Sequence, residues 1–495
     1  MNRGDIPAFR VRRMIQDKTA PDTFSQWLDR CPDLADLAAA FPNRFPYLLE
    51  STARGALSSH SLLLFAGDEV LVLDADGSLS GPGSGVSFFE RFESWYQSER
   101  SACSVTEKEG AEDQGAIVSP FTGGWFVYLG YEMAAEIESI LDLPANRTGM
   151  PDAIAHRCHG AIIVFHDPQD PARDRSVAVA ESDAVLAQIM SCVNRSPAHA
   201  AHAGVGKLSR LDEEDPERYK TSVSRIHEYL LAGDVFQVNI SRRWSGAFCA
   251  DADPLVLYRA LRHFNPAPFA GLLRWRDRVM LSSSPERLVQ IRGGNIQTRP
   301  IAGTRPRGAS AGQDRALSED LISNLKERAE HIMLIDLERN DLGRVCKPGT
   351  VEVNELMVVE SFAHVHHIVS NVRGELLGDA SPIDAIRAVF PGGTITGCPK
   401  VRCMEVIAEL EGEGRGYYTG SMGYLGRDGN MDLNILIRSM LVQGRHFAFR
   451  TGGGIVADSV ADHEVCETRD KARGMLMAVE SCGKPSLWVK ERRHA

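Results

Sequence analysis

The sequence predicts an α+β protein of stacked, mostly antiparallel β-sheets with helices on the outside. Three observations carry this. Short β-like runs bounded by Gly, Asp and Pro recur along the chain. Between the later ones lie stretches with a helical apolar period. No run leads into a GxGxxG or GxxxxGKS/T turn, so neither a dinucleotide fold nor a P-loop fold has support.

In the first 195 residues the strand candidates are LLLFAG, EVLVLDADG, GGWFVYLGYE and GAIIVFHD. Residues 193–215, NRSPAHAAHAGVGKLSRLDEEDP, lack periodicity and read as a linker or exposed loop. They divide an N-terminal region, 1–195, from a second region, 215–480. A helix starts at Asp215-Pro216-Glu217, where Pro suits the first helical position and acids suit the first turn, and runs to the Gly233-Asp234 break. Beyond it VFQVNISRRW, VMLSSSPERLVQIRGGNIQTRP and MDLNILIRSMLV read as hairpin-linked strands. They alternate with the helical stretches LISNLKERAEHIMLIDLERNDL and KVRCMEVIAELEG.

With 495 residues, 43% of them hydrophobic, the chain can bury a large core in one to three domains. A formal charge of -11 argues against non-specific binding to nucleic acid or an anionic membrane. The N-terminus, MNRGDIPAFRVRRMIQDK, has no apolar signal region, and SLLLFAGDEVLVL is interrupted at Gly67, Asp68 and Glu69 and too short to span a bilayer. Ten cysteines without a CxxC pair suit reduced thiols better than a disulfide framework or a zinc site. The expectation is a soluble, cytoplasmic protein with no nucleic-acid or membrane partner.

Two pairs of acids stand out. KERAEH carries Glu327 and Glu330, and HEVCETRDKA carries Glu464 and Glu467, each pair spaced i, i+3 on a helical stretch. Lys471 falls on the face of the second pair, while Val465, Ala472, Met475, Leu476 and Val479 form the apolar side. Acids in a first helical turn also simply complement the helix dipole. Brought together, four carboxylates would repel one another unless a cation joined them, and oxygen-only ligation suits Mg²⁺ or Ca²⁺. FPGGTITGCPK and RTGGGIVADS read as Gly-rich turns able to offer N–H groups to an anion. Arg438, inside the apparent strand NILIRSML, is a candidate carboxylate partner. In HVHHIVS, one of His364, His366 and His367 suits acid–base work, and the others read as satisfied core histidines.

Taken in order, these islands resemble the chorismate-utilising enzymes, a family that includes the first components of anthranilate synthase and aminodeoxychorismate synthase and the isochorismate and salicylate synthases. The likeness runs through residues 215–480: GDVFQVNISRRW, NPAPF, SSSPERL, TRPIAGTRPRG, EHIMLIDLERNDLGRV, VVESFAHVHHIVS, FPGGTITGCPKVRCMEVI, YYTGSMGYLGRDGNMDLNILIR and GGGIVADS. It is weaker in the N-terminal region, through LLES at 48–51 and GGWFVYLGYE. The resemblance implies that Glu327, Glu330, Glu464 and Glu467 hold Mg²⁺, which binds the ring carboxylate of chorismate. It also implies that Gly303, Thr304, Thr394, Tyr418, Arg438, Gly453, Gly454 and Lys471 line the substrate pocket. Glu286 matches the acid that protonates the departing C4 hydroxyl, and His367 the catalytic histidine.

Water-using members carry a lysine base where this chain has Gln237, so the resemblance points to an ammonia user. QVN at 237–239, VHH at 365–367 and GGTITG at 392–397 are similar to aminodeoxychorismate synthase; Ala302, where many of those enzymes have a nucleophilic lysine, is similar to anthranilate synthase. The expectation is the first component of an aminodeoxychorismate synthase, making 4-amino-4-deoxychorismate for 4-aminobenzoate and folate. Anthranilate synthesis is the alternative, and a non-catalytic regulator binding a small anion is the reading from another class. No glutaminase motif is visible, so a separate glutamine amidotransferase subunit would supply ammonia. In anthranilate synthases the LLES region forms part of a tryptophan feedback site; here a bound tryptophan and a plain packed strand both stay open.

Overall fold

The computed structural model describes residues 23–53, 55, 58–100, 119–196, 206–308, 310–361 and 365–482. The N-terminal stretch, the middle of the expected linker (197–205) and His364 lie outside the described residues.

Every strand pairing among the described residues is antiparallel, and the pairings form two arms that grow from one long pair, His60–Leu73 with Ala153–Phe165. From His60–Leu73 the first arm runs through Tyr47–Glu50, Phe269–Trp275, Arg278–Ser284, Ser439–Gln443, His446–Ile455 and Gln237–Phe248 to Leu208–Glu213. From Ala153–Phe165 the second runs through Gly124–Leu129, Ser421–Gly426, Met431–Asn434, Arg287–Arg292, Asn295–Thr298 and Val365–Glu375 to Glu352–Ser361. Hydrogen bonding therefore crosses between the 1–195 and 215–480 regions in both arms: Leu48 faces Leu272, and Val127 faces Gly423.

Three cores show how the arms stack. One lies between them and draws on strands of both, including Tyr47, Leu64, Phe126, Ile154, Met280 and Leu441. A second packs the first arm against the helices Leu34–Ala40, Pro254–Phe264 and Ala461–Ser481. The third packs the other arm against Phe88–Glu99, Leu325–Gly343 and Pro382–Val389. The order is helix, sheet, sheet, helix, which is the α+β architecture expected. No helix among the described residues is long and apolar enough to cross a membrane.

Local signals place several elements. The Pro216–Ala232 helix begins where the Asp215 side chain accepts the Glu217 N–H and ends at Gly233 in the left-handed region, φ 79°. SLLLFAGDEVLVL is one strand, His60–Leu73, with an irregularity between Ala66 and Val70. Three readings of the sequence are corrected. The expected linker 193–215 is structured at both ends: its first residues close the helix Asp183–Arg195, and Leu208–Glu213 is a strand paired with Gln237–Phe248. MDLNILIRSMLV is two strands, Met431–Asn434 and Ser439–Gln443, and Arg438 stands in the break between them at φ 51°. The glycines of RTGGGIVADS do not form a turn but continue the strand His446–Ile455. They are needed for close approach: a Cβ on Gly452 would lie 2.3 Å from the Ile240 carbonyl oxygen, and one on Gly454 2.0 Å from Gln237 Nε2.

The chain passes between the arms at two neighbouring places, residues 285–286 and 435–438. These two passages carry Glu286 and Arg438.

Candidate active site

The two passages are stitched together. The Ile435 N–H donates to the Glu286 carbonyl (3.0 Å), the Ser283 N–H donates to the Arg438 carbonyl (3.1 Å), and the Ser284 hydroxyl donates to the Ile435 carbonyl. Glu286 is 5% exposed. Burial pushes its carboxyl up to about 7, although Thr394, Arg438, the Ile301 amide and Lys471 all favour ionisation. Among the described residues neither Glu286 Oε1 nor Thr394 Oγ1 completes a hydrogen bond of good geometry. A buried carboxyl that keeps its proton near neutrality, with one oxygen unclaimed, is equipped to give that proton to a ligand.

Arg438 is half-buried, and its guanidinium feels Tyr418, Glu286 and Glu467. Among the described residues it makes no side-chain hydrogen bond or ion pair, which leaves its fork for an anion. Lys471 bonds Glu467 Oε1 at 2.6 Å and the Gly452 carbonyl at 2.9 Å. Gly453 is the meeting point: a Cβ there would lie 3.4 Å from Glu464 Oε2, 3.5 Å from Lys471 Nζ and 3.6 Å from Glu467 Oε1. Beyond Phe449 this strand pairs, among the described residues, only with Gln237–Phe248, and Lys471 bonds the Gly452 carbonyl on it.

Glu327 and Glu330 lie on the inner face of the Leu325–Gly343 helix, both half-buried. A Cβ on Gly303, itself at φ 62°, would lie 2.7 Å from Glu327 Oε2. The Gly303 carbonyl in turn faces His367 Nδ1 at 3.4 Å. Burial holds His367 down at about 4, with Arg438 and Lys471 opposing its protonation and Gly303 partly offsetting them. The ring is therefore neutral near pH 7, and with Nδ1–H directed at Gly303 its Nε2 carries the acceptor lone pair. Thr304 is described through its backbone, opposite His367 in the strand register.

Other expected residues also converge. Tyr418 is buried, with the Arg415 guanidinium 5.7 Å from its ring. The Thr394 carbonyl accepts from Asn239 Nδ2 at 3.3 Å. Gln237 is buried, its carbonyl oxygen has no hydrogen-bond partner among the described residues, and it packs on Gly454. Asn239, two residues on and on the same strand face, leaves its own side-chain oxygen unpartnered; the i, i+2 spacing in QVN was the signal for it. His366 is a satisfied core histidine, held between the Ser361 hydroxyl (2.7 Å) and Asp314 (3.0 Å).

The four glutamates sit on two helices flanking this site, but among the described residues no three acidic, histidine or cysteine side chains are gathered to metal-binding distance. The donor set fits a hard cation all the same, since it offers only oxygen. A second cleft, with about 450 Å³ of empty space, opens at the LLES strand between Glu50, Ser51, His60, Asp432 and Asn434. Glu50 is fixed there by the Tyr258 hydroxyl (2.8 Å) and Arg262 (3.0 Å).

Residues 78–477 match the family described as chorismate binding enzyme. An anthranilate synthase component I-like protein of Synechocystis sp. is 43% identical over 366 residues, 73% of each chain. The aminodeoxychorismate synthase component 1 of Bacillus subtilis is 40% identical over 382 residues, 73% of this chain and 77% of its own. Among solved structures, anthranilate synthase component I of Streptococcus pneumoniae superposes with a TM-score of 0.71 at 30% identity, covering 84% of this chain and 92% of that one. The order of motifs, the stacked sheets and these relatives agree: the chain belongs to the chorismate-binding enzymes.

Proposed function

We propose that the chain is the chorismate-aminating component of an aminodeoxychorismate synthase, acting in the cytoplasm with ammonia from a separate glutamine amidotransferase. The observation that carries the ammonia reading is Gln237. Where the water-using relatives would place a basic lysine, this chain has a neutral amide that packs on Gly454, its buried carbonyl oxygen without a hydrogen-bond partner among the described residues. That oxygen can accept an N–H and orient an ammonia lone pair, but it cannot deprotonate water. The relatives, each named as a first component, support a separate amidotransferase partner.

Glu286 gives its proton to the C4 hydroxyl, which leaves as water while a nucleophile adds to the ring. The C–N bond forms with loss of one proton from the attacking nitrogen, and neutral His367 is placed to take it through Nε2. With nitrogen at C4 in place of the departed hydroxyl, chorismate and ammonia become 4-amino-4-deoxychorismate and water, and the proton Glu286 gives is matched by the one His367 takes. Arg438 and the free strand edge at Gly452–Gly454 suit one substrate carboxylate. Glu327, Glu330, Glu464 and Glu467 would hold Mg²⁺, which when bound neutralises these acids and the other carboxylate.

Ala302 favours a second reading. A methyl group cannot attack C2, so ammonia adding there directly, with the C4 hydroxyl leaving as water and the side chain then lost as pyruvate, would give anthranilate. Incubating the chain with chorismate, Mg²⁺ and ammonium, with and without an added lyase for aminodeoxychorismate, separates the two. The proposal expects 4-aminobenzoate only when the lyase is present. Anthranilate released without it establishes the second reading, and no amine product overturns both.

A further inference from the structure

We infer that Arg415 is a positioning residue for Tyr418 and Arg438: it holds Thr419 in a left-handed backbone conformation, and through Thr419 it sets the two segments that carry them. The inference rests on the reading of Arg438 as the partner of a substrate carboxylate. It extends that reading to a residue outside the set expected to meet substrate.

Arg415 is 2% exposed, and each N–H of its guanidinium has an acceptor. Nε and Nη2 donate to the two Glu411 carboxylate oxygens at 3.0 and 2.7 Å. Nη2 also donates to the Asn239 carbonyl at 2.8 Å, while Nη1 donates to the Ile395 carbonyl at 3.1 Å and to the Thr419 hydroxyl oxygen at 3.3 Å. Glu411 neutralises the charge; the other three bonds reach segments that line the site. Asn239 lies two residues past Gln237, Ile395 follows Thr394, and Thr419 follows Tyr418. Lysine in this place would keep the charge beside Glu411, but a single nitrogen cannot span all four partners.

Thr419 is the strained member of the group. It is buried at φ 61°, where a β-branched residue is an outlier that persists only if its surroundings over-determine it. They do so here. Its hydroxyl accepts from Arg415 and donates to the Tyr418 carbonyl at 2.5 Å. Its N–H donates to the Leu436 carbonyl at 2.8 Å, and the Leu436 N–H donates to the Gly420 carbonyl at 2.8 Å. Leu436 stands two residues before Arg438, itself at φ 51°. The two strained residues thus lie on segments zipped to each other, one bearing Tyr418 and the other Arg438. Arg415 also grips Tyr418 directly: its carbonyl accepts the Tyr418 N–H at 3.1 Å, and its guanidinium lies 5.7 Å from the ring.

The test titrates the full chain with chorismate by calorimetry in the presence of Mg²⁺, reading affinity and the number of binding sites separately. Arg415→Lys is expected to weaken chorismate binding about tenfold or more, with close to one site per chain kept, because the Tyr418 and Arg438 segments lose their alignment. Adding Thr419→Gly should recover part of that affinity, since glycine takes the left-handed conformation without being held there. A purely structural role would instead lower the fraction of chains that bind and leave their affinity unchanged. That result, or a double variant that binds no better than Arg415→Lys, overturns the inference. In either case weak binding by Arg438→Gln leaves the reading of Arg438 intact, whereas wild-type affinity in Arg438→Gln overturns that reading itself. Should Arg415→Lys fail to fold, Thr419→Val and Thr419→Ser decide. Valine removes the oxygen that Arg415 bonds and should raise the KM for chorismate, while serine keeps it and should leave KM near the wild-type value. Equal effects of the two overturn the inference.

Discussion

Glu286 and Glu411 are both glutamates enclosed in the second region, 5% and 4% exposed, yet they are opposites in chemistry. Glu411 is fully claimed. It accepts from the Ser241 N–H (2.9 Å) and hydroxyl (2.8 Å), from Arg415 (3.0 and 2.7 Å) and from Arg450 (3.3 Å). Burial pushes its carboxyl up, but Arg415 and Arg450 more than offset this, and it lies below the ordinary carboxylate value. Glu286 also has two cations nearby, Arg438 and Lys471, but neither touches it, and burial prevails. Enclosure alone therefore does not make a proton donor. What decides is whether the surrounding donors make contact or hold back.

The largest expected effect follows from removing the uncommitted acid. Glu286→Gln should lower turnover by roughly 10²- to 10⁴-fold, the usual contribution of a positioned general acid, while calorimetry shows chorismate still bound. Loss of binding along with turnover would make Glu286 a structural group and erase the contrast. Glu411→Gln should do the reverse. Leaving Arg415 and Arg450 facing a neutral amide should cost about 3–5 kcal/mol of stability, measured by denaturant unfolding. A loss under about 1 kcal/mol would show that the two arginines find other partners.

The two acids should also respond oppositely to pH. The Glu286 carboxyl is raised above its ordinary 4.5, so the stability tied to its neutral form is whole below that value and lost as pH climbs through about 7. Glu411 is lowered, so its contribution is present above 4.5 and lost as pH falls through its folded value. Thermal unfolding between about pH 5 and pH 8 should therefore move increasingly in favour of Glu286→Gln over the wild type. The penalty of Glu411→Gln should shrink only below about pH 4.5. Parallel curves for the two variants would refute the difference in ionisation.

The smallest stability effect belongs to Glu467. Its side chain is 52% exposed and paired with Lys471, so Glu467→Gln should change unfolding free energy by less than about 1 kcal/mol. A Mg²⁺ titration of activity should nevertheless shift to higher metal concentration. Unchanged metal dependence would remove Glu467 from the cation set.

The features legible in the sequence were those encoded locally. Asp215-Pro216-Glu217 and Gly233 bracket a helix because capping depends on a few neighbouring residues, and those bounds agree with the structure. The paired acids were visible from their i, i+3 spacing, and the helix-versus-strand order of the motifs followed from periodicity. Gly452–Gly454 were misread because glycine serves a turn and a tight strand contact alike; only the Ile240 carbonyl and Gln237, more than 200 residues earlier, show which applies. The break at Arg438 was hidden by continuous apolar residues on either side. Glu411 looked like an ordinary charged position on a helix, since Ser241 and Arg450, which help to enclose it, arrive from strands far away in sequence. Burial of an acid is a property of the tertiary structure, and no local pattern announces it.

The bond from Ser284 to Ile435 spans 151 residues of chain. Closing so long a loop carries an entropic cost before any local contact rewards it, and such contacts form slowly. A chain emerging from the ribosome carries Glu286 long before it carries Arg438, whose charge acts on it. Until residues 435–438 arrive and pair, Glu286 has no sealed environment and behaves as an ordinary exposed carboxylate. The buried state of Glu286 is thus gained late in synthesis, and an unfinished chain carries this acid as an ordinary carboxylate.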